Sequence, residues 1–470
     1  NEHRILRPKM KYFISMVFVM VCTLLGRSQS DSVTIEKIDF TGLKKTKYSL
    51  ALRELSLNPG DKVLVKNLQV ALKLAEYRLN RSDLFSLVKI NITNWDTEKN
   101  TLNLSVEVIE NLYLILVPDV DLADRNFNVW WVDQKRALDR INIGGRIGWK
   151  NFSGNKDILS FQTLFGYTQK FGAKYEYPYL NPAKTIGFSA EAFFSRNKEI
   201  NYATIQDKQA FFKADNKYLV TRQRYLIGLS YRPEFLTQQN LQIGYQVNKV
   251  PSDIVDSFDG QFLDLPVQNF LSINYSLVYD KRNTTHYATS GYFVKFQFQK
   301  DGILSSDNYS NTFVLTTLAG YIPLSKRWSI EQGIQARLNL ESGKRPYFNY
   351  SALGYQDEYL RGYEYYVIDG DHYFLSNSSL RFLLFDKVFQ YKKWMMPVPK
   401  MRRMPYRIYL SANLDQGYVQ NIYYAHSNKL PNTWVVGGGF GIDFVLYYDK
   451  LISIEWSRNK FGQNGLFLHY

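Results

Sequence analysis

The chain has 470 residues, a length that allows two or three domains. Aromatic residues make up 16% of it, and its formal net charge is +15. Its mean hydropathy of −0.31 excludes a polytopic helical membrane protein, which needs repeated apolar runs of about 20 residues. The basic residues are mostly scattered singly, and no helix-turn-helix, zinc-finger or RNA-reading motif accompanies them. The charge therefore predicts contact with anionic lipid or an acidic partner rather than with nucleic acid.

The first 30 residues have the pattern of a secretory signal peptide. A short basic region precedes the apolar run 12–25, which is too short to span a bilayer as a helix, and small residues end the segment at Ser30. Residues 1–9 are predicted to be an extension upstream of the true start. The only cysteine, Cys22, lies in this segment, so we predict a mature chain without disulfides.

Residues 33–112 predict a small α+β domain in the order strand, helix, helix, strand, strand. Apolar residues recur at helical spacing in the second helix, at Leu68, Ala71, Leu72, Ala75 and Leu79. With the runs 38–42, 58–61 and 83–88, this order resembles a POTRA domain. The resemblance implies a periplasmic docking module that binds extended segments by adding a strand to a sheet edge. A generic α+β domain without a peptide role is the alternative.

From Ile141 onward, apolar and polar residues alternate over segments of about ten residues, which polar turns interrupt. This alternation is typical of an outer-membrane β-barrel, whose apolar face meets lipid and whose polar face lines a wet interior. We predict a sixteen-stranded antiparallel transmembrane β-barrel over 141–470, preceded by a linker at 113–140. The predicted strands are 141–149, 157–167, 169–177, 185–197, 206–217, 225–235, 239–250, 269–280, 291–300, 311–322, 328–340, 373–386, 406–416, 434–447, 450–458 and 465–470.

The strand count has a topological consequence. An even number of strands places both ends of the barrel on the periplasmic side and makes 341–372 the sixth surface loop. The last strand carries Leu466, Leu468 and Tyr470 on one face. A closing strand with a terminal aromatic residue resembles the signal that outer-membrane barrels present to their insertion machinery.

Three motifs lie in the predicted barrel, namely Arg361-Gly362-Tyr363 in the sixth loop, Asp280-Lys281-Arg282-Asn283 followed by Gly291, and Leu414-Asp415-Gln416-Gly417. Behind a single POTRA-like domain, they resemble the BamA/TamA-type outer-membrane assembly and translocation family, the bacterial surface antigen family. The proline often found before the glycine matched by Gly291 is missing. The match covers residues from about 33 to 470.

The resemblance implies that the sixth loop folds back into the barrel and that its arginine pairs with an acidic residue of the wall. Asp415 has the parity of Ser411 and Asn413, so its side chain is predicted to face the lumen. We therefore predict a contact between Arg361 and Asp415, which a planar guanidinium can bind in two places.

The predicted first strand is rich in glycine, with Gly144, Gly145 and Gly148, and the predicted last strand is short. Glycine weakens strand pairing, so the closing seam is predicted to open more easily than the rest of the wall. The resemblance implies that this seam is a lateral gate for client strands. Relief of crowding at a tight bend is the alternative role for these glycines.

Residues 387–407 are predicted to be an unusually long periplasmic turn. It carries Lys392, Lys393, Lys400, Arg402 and Arg403 beside apolar residues. We interpret it as a basic, apolar-tipped extension that rests on the inner leaflet or docks a partner, with a solvated turn as the alternative. The glycine run 437–441 lacks the lysine and helix of a phosphate loop, so we interpret it as barrel packing.

The five histidines are scattered without metal-binding spacing, and no nucleophile elbow, P-loop or catalytic carboxylate pair is present, so neither an enzyme nor a cofactor is predicted. The predicted function is outer-membrane protein assembly, insertion or translocation, with unfolded polypeptide clients, membrane lipids and periplasmic or lipoprotein accessory subunits as partners. A two-partner-type secretion pore for one dedicated polypeptide is the alternative. A passive porin is third, since a diffusion pore needs no periplasmic receptor.

Overall fold

The computed structural model describes residues 32–214, 217–234, 236–285, 287–355, 358–392, 394–395, 403–446 and 451–469. The predicted signal segment, with Cys22, lies outside the described residues. The described residues form two compact units: one holds those up to Tyr113 together with Asn151–Lys156, and the other holds Leu114–Lys150 together with those from Asp157 onward. In the described ranges, no helix is both long enough and apolar enough to cross a membrane.

The first unit is the predicted α+β domain. Its elements are β1 (Ser32–Thr41), α1 (Tyr48–Leu55), β2 (Lys62–Leu64), α2 (Val65–Arg81), β3 (Phe85–Asp96) and β4 (Thr101–Glu110). The sheet order is β2-β1-β4-β3, with β1 and β4 parallel and the other pairs antiparallel. The predicted order of elements is confirmed, and the short β2 is an addition to it.

Hydrophobic periodicity accounts for the core of this domain. On β4 the side chains of Leu102, Leu104, Val106 and Val108 alternate with polar residues and are each at most 4% exposed. On α2 the apolar face buries Leu68, Ala75 and Leu79. Full burial of such a side chain stabilises a fold by about 1.5–3 kcal/mol, so one polar substitution on either face would destabilise the domain.

A single carboxylate holds the segment that leads into α1. Glu110, at the end of β4, accepts hydrogen bonds from the backbone N–H groups of Thr46 (2.7 Å), Lys45 (3.0 Å) and Lys44 (3.2 Å). Burial by itself raises the pKa of Glu110, but these hydrogen bonds favour the charged form more strongly and hold the pKa below its usual value. The depressed pKa means that the ionised carboxylate stabilises the folded domain.

Replacing Glu110 with glutamine is expected to weaken this anchor, since charge-assisted hydrogen bonds are stronger than neutral ones. A loss of about 1 kcal/mol corresponds to roughly fivefold faster amide exchange at residues 44–46, which hydrogen exchange on the full-length protein measures. Because the folded pKa is lowered, the stabilisation is complete above the unfolded pKa of about 4.3 and is lost as pH falls through the folded value.

The matched control for this prediction is Glu107→Gln, because Glu107 is exposed on the same strand and accepts one hydrogen bond from the Asn91 side chain. Glu107→Gln should leave exchange at residues 44–46 unchanged. Equal exchange in wild type and Glu110→Gln at neutral pH would refute the anchor.

The second unit is dominated by strands. In chain order they are β5 (Leu114–Leu122), β6 (Ile141–Lys150), β7 (Ile158–Gly166), β8 (Thr168–Tyr177), β9 (Ile186–Asn197), β10 (Glu199–Ile205), β11 (Lys208–Lys213), β12 (Val220–Tyr231), β13 (Thr237–Lys249), β14 (Val267–Asp280), β15 (Gly291–Asp301), β16 (Asn311–Pro323), β17 (Trp328–Asn339), β18 (Ser351–Leu353), β19 (Ile368–Asp369), β20 (His372–Gln390), β21 (Arg403–Gln420), β22 (Val435–Val445), β23 (Leu451–Asn459) and β24 (Asn464–His469). The helices are α3 (Phe127–Val132) and α4 (Ser252–Ser257), with 3-10 turns at Leu138–Arg140 and Tyr347–Asn349. All strands except β10, β11, β18 and β19 form one antiparallel sheet of sixteen strands.

The predicted count of sixteen strands is confirmed, but two predicted positions are wrong. The predicted linker 113–140 contains β5, which pairs with β6 along its whole length. The strand is hard to predict from sequence because it contains Pro118, and proline argues against a strand in the middle of a sheet. Proline is tolerated here because β5 is an edge strand. The predicted wall strand 206–217 is also wrong, because β11 within that range belongs to the separate hairpin β10–β11, whose two-residue turn lies in the same range.

The predicted seam glycines are also misplaced. Gly144, Gly145 and Gly148 lie on β6, which pairs with β5 on one side and β7 on the other, so they are not at the end of the sheet. At Gly144 a Cβ atom would overlap the backbone of Thr163 on β7. Gly144 therefore permits close approach of β6 and β7. This role is closer to the alternative, relief of crowding, than to an easily opened seam.

The sheet curls round on itself, with its polar face inward. Tyr287, in the turn between β14 and β15, donates a hydrogen bond to Asp443 on β22 at 2.7 Å. In the sheet order β22 is far from both β14 and β15. On β23, Trp456 is 44% exposed while Glu455 is 3% exposed. The predicted alternation of an apolar outer and a polar inner face is therefore present.

Candidate functional site

The described residues of the connection between β17 and β20, 340–355 and 358–371, fold into the curled sheet and are called loop 6 below. Its tip residues Leu360 and Tyr363 are 1% and 2% exposed. They belong to one buried apolar cluster that joins loop 6 to β20, β21, β22 and the connection before β22. The other buried members are Ala352, Leu353, Ile368, Tyr373, Leu375, Val419, Leu430 and Val435. Apolar contact therefore holds the tip against the inner wall.

Arg361, next to these residues, joins two carboxylates from different strands. Its Nη1 lies 3.0 Å from Oδ1 of Asp415 on β21, and its Nε lies 2.7 Å from Oε2 of Glu455 on β23. The backbone N–H of Arg361 also donates to Asp415 Oδ2 at 3.1 Å. The predicted contact between Arg361 and Asp415 is present, and Glu455 completes a three-residue cluster, here called the brace.

The brace is enclosed by protein. The side chains of Arg361, Asp415 and Glu455 are 15%, 0% and 4% exposed. Burial by itself lowers the pKa of the Arg361 guanidinium, but the charges of Asp415 and Glu455 outweigh burial and hold that pKa above its usual value. Arg361 therefore stays charged, and loss of this arginine would leave two carboxylates without a cation away from bulk water.

Glycines make the close approach of the tip possible. Gly362 has a φ of +84°, a left-handed conformation that favours glycine, and its carbonyl accepts a hydrogen bond from Asn459 Nδ2 at 3.1 Å. A Cβ at Gly437 of β22 would overlap the carbonyl oxygen of Arg361. Tyr363 donates from its hydroxyl to the carbonyl of Val436 at 3.0 Å.

Two members of this site were missed at the level of sequence, although each has a signal there. Glu455 shares the polar parity of its strand with Ser453 and Ser457, which places its carboxylate inside. Gly437 lies in a glycine run within an alternating strand, a pattern that indicates close approach of another backbone.

The other predicted site residues serve local roles or lie at edges. Arg282 binds Asp280 with two hydrogen bonds, from Nε at 2.9 Å and from Nη2 at 2.7 Å, and Nη1 donates to the Thr285 carbonyl, so this motif closes its own turn. On the last strand Leu466 is 69% exposed, as a lipid-facing residue would be, and Leu468 is half-buried. Tyr470 lies outside the described residues.

The bounds predicted for the basic turn, 387–407, are too wide, because both ends of that range are paired strand. β20 and β21 continue to pair as far as Gln390 and Arg403, beyond the ends of their pairing with β17 and β22. Lys392 and the 78%-exposed Trp394 lie just past β20. Lys393, Lys400 and Arg402 lie outside the described residues.

In the part of the chain that the structure describes, no three His, Cys, Asp or Glu side chains are grouped so as to hold a metal ion. The brace is an arrangement for holding a loop by charge.

Two sequence families match the chain. The model of the Omp85 superfamily domain matches residues 151–389, more than half of the chain, and the POTRA model, described as surface antigen variable number repeat, matches residues 33–111. The chain belongs to the Omp85 superfamily. This membership confirms the sequence-based resemblance and places the protein in the outer membrane of a Gram-negative bacterium.

Solved structures show the same fold for this Omp85 protein. BamA from Haemophilus ducreyi lacking POTRA domains 1–3 is 14% identical, with a TM-score of 0.64 over 93% of this chain and 83% of that one. CdiB from Escherichia coli is 12% identical, with a TM-score of 0.54 over 93% of this chain and 75% of that one. No curated protein is significantly similar in sequence. The predicted POTRA domain and antiparallel barrel are therefore confirmed as the fold.

Proposed function

We propose that this Omp85 protein assembles, inserts or translocates other outer-membrane polypeptides. Its POTRA domain, in the periplasm, captures unfolded client strands, and the barrel presents a strand edge on which they pair. Membrane lipid surrounds the barrel, and periplasmic or lipoprotein subunits assist it. Family membership and a fold shared with BamA support this proposal.

The observation that carries the proposal is the unpaired seam. β5 and β24 are the two ends of the sixteen-stranded sheet, and in the described residues no ladder of hydrogen bonds joins them. A free strand edge presents unpaired N–H and C=O groups, which are a template for another strand. Such groups are costly in lipid, so an incoming client strand that satisfies them is bound with a strong preference.

Depletion of the protein followed by quantitative proteomics of the outer membrane tests the proposal. A broad loss of β-barrel proteins, restored by wild-type protein supplied in trans, is the expected result. Loss of one exported polypeptide would favour a dedicated secretion pore instead. An unchanged outer-membrane proteome together with unchanged secretion would exclude both functions.

A polar cavity favours the secretion pore as a second candidate. Its volume is about 760 Å³, and Arg125, Arg222, Arg337, Glu199 and Glu358 are among its lining residues. A passing polypeptide needs loop 6 to leave the lumen. If the protein is such a pore, Arg361→Ala should raise single-channel conductance in planar bilayers at least twofold over wild type. Equal conductance would favour the assembly function.

A further inference from the structure

The outer edge of β24 is not bare, because a side chain covers part of it. Asn128, on the short helix α3 between β5 and β6, accepts a hydrogen bond at Oδ1 from the N–H of Leu468 (2.9 Å). Its Nδ2 donates to the carbonyl of the same residue (3.1 Å). Asn128 is 5% exposed.

The pair of hydrogen bonds reproduces strand pairing. In an antiparallel ladder, two opposite residues exchange both of their N–H···O=C bonds, and this reciprocal pair is the repeating unit of the sheet. The primary amide of asparagine offers the same donor and acceptor as a peptide group. Asn128 therefore occupies the position that a residue of an added strand would take opposite Leu468.

Helix α3 is held in this position by loop 6. Asn126 caps the helix by accepting from the N–H of Val129 (2.9 Å), and its Nδ2 donates to the carbonyl of Glu364 (2.9 Å). Arg125 donates from Nη1 to the carbonyl of Gly354 (2.8 Å). With six residues, α3 is too short to be stable alone, so these contacts determine where it lies.

Loop 6 also contacts the end of β24. The ring of Tyr359 stacks on that of His469, with centroids 4.7 Å apart and planes 12° apart. A cavity of about 350 Å³ separates the two edge strands, and its lining includes Leu122 of β5, Phe127 of α3 and Leu468. The seam is thus spanned by side chains from α3 and loop 6, with open volume between them, where a strand pair would leave none.

We propose that α3 is a latch in which Asn128 covers the pairing edge of β24 until a client strand displaces it. This inference rests on the proposed function, since it names the device that keeps the client edge closed at rest. A single amide matches one residue of β24, whereas an extended client strand pairs with several residues in succession. The latch is therefore strong enough to exclude water and weak enough to yield to the correct partner.

Two measurements on the full-length protein in lipid nanodiscs test the latch. The first is the rate of amide exchange at Leu468, which is expected to be at least tenfold higher in Asn128→Ala than in wild type. The second is the affinity of a fluorescein-labelled peptide copying β23, residues 451–459, whose alternation fits the pleat of β24. Asn128→Ala is expected to bind this peptide at least tenfold more tightly than wild type.

Two further variants sharpen the test. Asn128→Asp keeps the acceptor for the Leu468 N–H but loses the donor, so a smaller increase in peptide affinity is expected. Asn308→Ala is the matched control, because Asn308 also accepts from one backbone N–H, of Asn269 (2.7 Å), and donates to one carbonyl, of Val267 (2.7 Å), at β14. It should leave both readouts at β24 unchanged.

The outcomes separate the latch from the proposed function. Unchanged exchange at Leu468 in Asn128→Ala overturns the latch, and so does faster exchange with unchanged peptide affinity. Faster exchange with tighter binding supports it. Neither readout requires a natural client. A negative depletion experiment would therefore overturn the assembly function, whereas the exchange and binding measurements would still decide whether the latch exists.

Discussion

Arg361→Ala is expected to destabilise the folded barrel by about 3–5 kcal/mol, because it leaves two carboxylates facing one another without a cation in a site closed to water. Both Asp415 and Glu455 are less than 5% exposed. The measurement is the free energy of unfolding in urea, in lipid vesicles, followed by tryptophan fluorescence. The free energy of unfolding of Arg361→Lys should lie between those of wild type and Arg361→Ala, since an ammonium group cannot bridge both carboxylates as a guanidinium does.

The control for Arg361→Ala is an arginine of the barrel wall. Arg224 pairs with Glu191 at 3.0 Å, but their side chains are 45% and 26% exposed. Exposed pairs contribute about 0.2–1 kcal/mol, so Arg224→Ala should have a small effect. A double-mutant cycle with Asp415→Asn should give a coupling energy of about 1–3 kcal/mol with Arg361. Equal losses in the two alanine variants would show that the brace does not stabilise the barrel.

Gly437→Ala is expected to dislodge the tip of loop 6 although it changes no charge. The added methyl group would overlap the carbonyl oxygen of Arg361 and lie 3.1 Å from Cε2 of Tyr363. Overpacking of this kind costs about 1–3 kcal/mol, and here the strain falls on the loop because the strand is fixed by its neighbours. Exposure of Arg361 to trypsin, detected by mass spectrometry of the cleaved loop, measures the displacement.

Gly320→Ala is the matched control, because Gly320 is also a strand glycine but a Cβ there has no atom within 4 Å. Alanine at that position should be neutral or slightly stabilising, since it reduces the freedom of the unfolded chain. Cleavage after Arg361 should therefore rise in Gly437→Ala and remain at the wild-type rate in Gly320→Ala. If both variants resist trypsin equally, the glycine run has no role in seating the loop.

Both predictions test how the tip of loop 6 is held inside the barrel. The brace and the glycine run hold the tip of loop 6 against β21, β22 and β23, while the residues that directly flank the tip contact α3 and β24. A variant that frees the tip is therefore expected to loosen the seam as well. Faster exchange at Leu468 in Arg361→Ala would measure that coupling between the brace and the latch.

The sequence predicted the elements whose signal is local. Period-two alternation located most wall strands, helical spacing located α2, and parity placed the Asp415 side chain inside the barrel. The errors came where local signals conflict. Pro118 hid β5, and the hairpin β10–β11 has strand-like residues although it pairs only with itself. Because one strand was missed and another was added before β12, the count and the position of loop 6 remained correct.

By itself, the sequence determined the two domains, the inward parity of Asp415 and the presence of Arg361 in the sixth connection. Tertiary structure alone decided which second carboxylate meets Arg361, where the sheet ends, and that Asn128 lies against Leu468, 340 residues away in the chain. The physical reason is that parity specifies a face but not a neighbour. Contacts across the barrel depend on how far the sheet curls, which no single segment of the chain encodes.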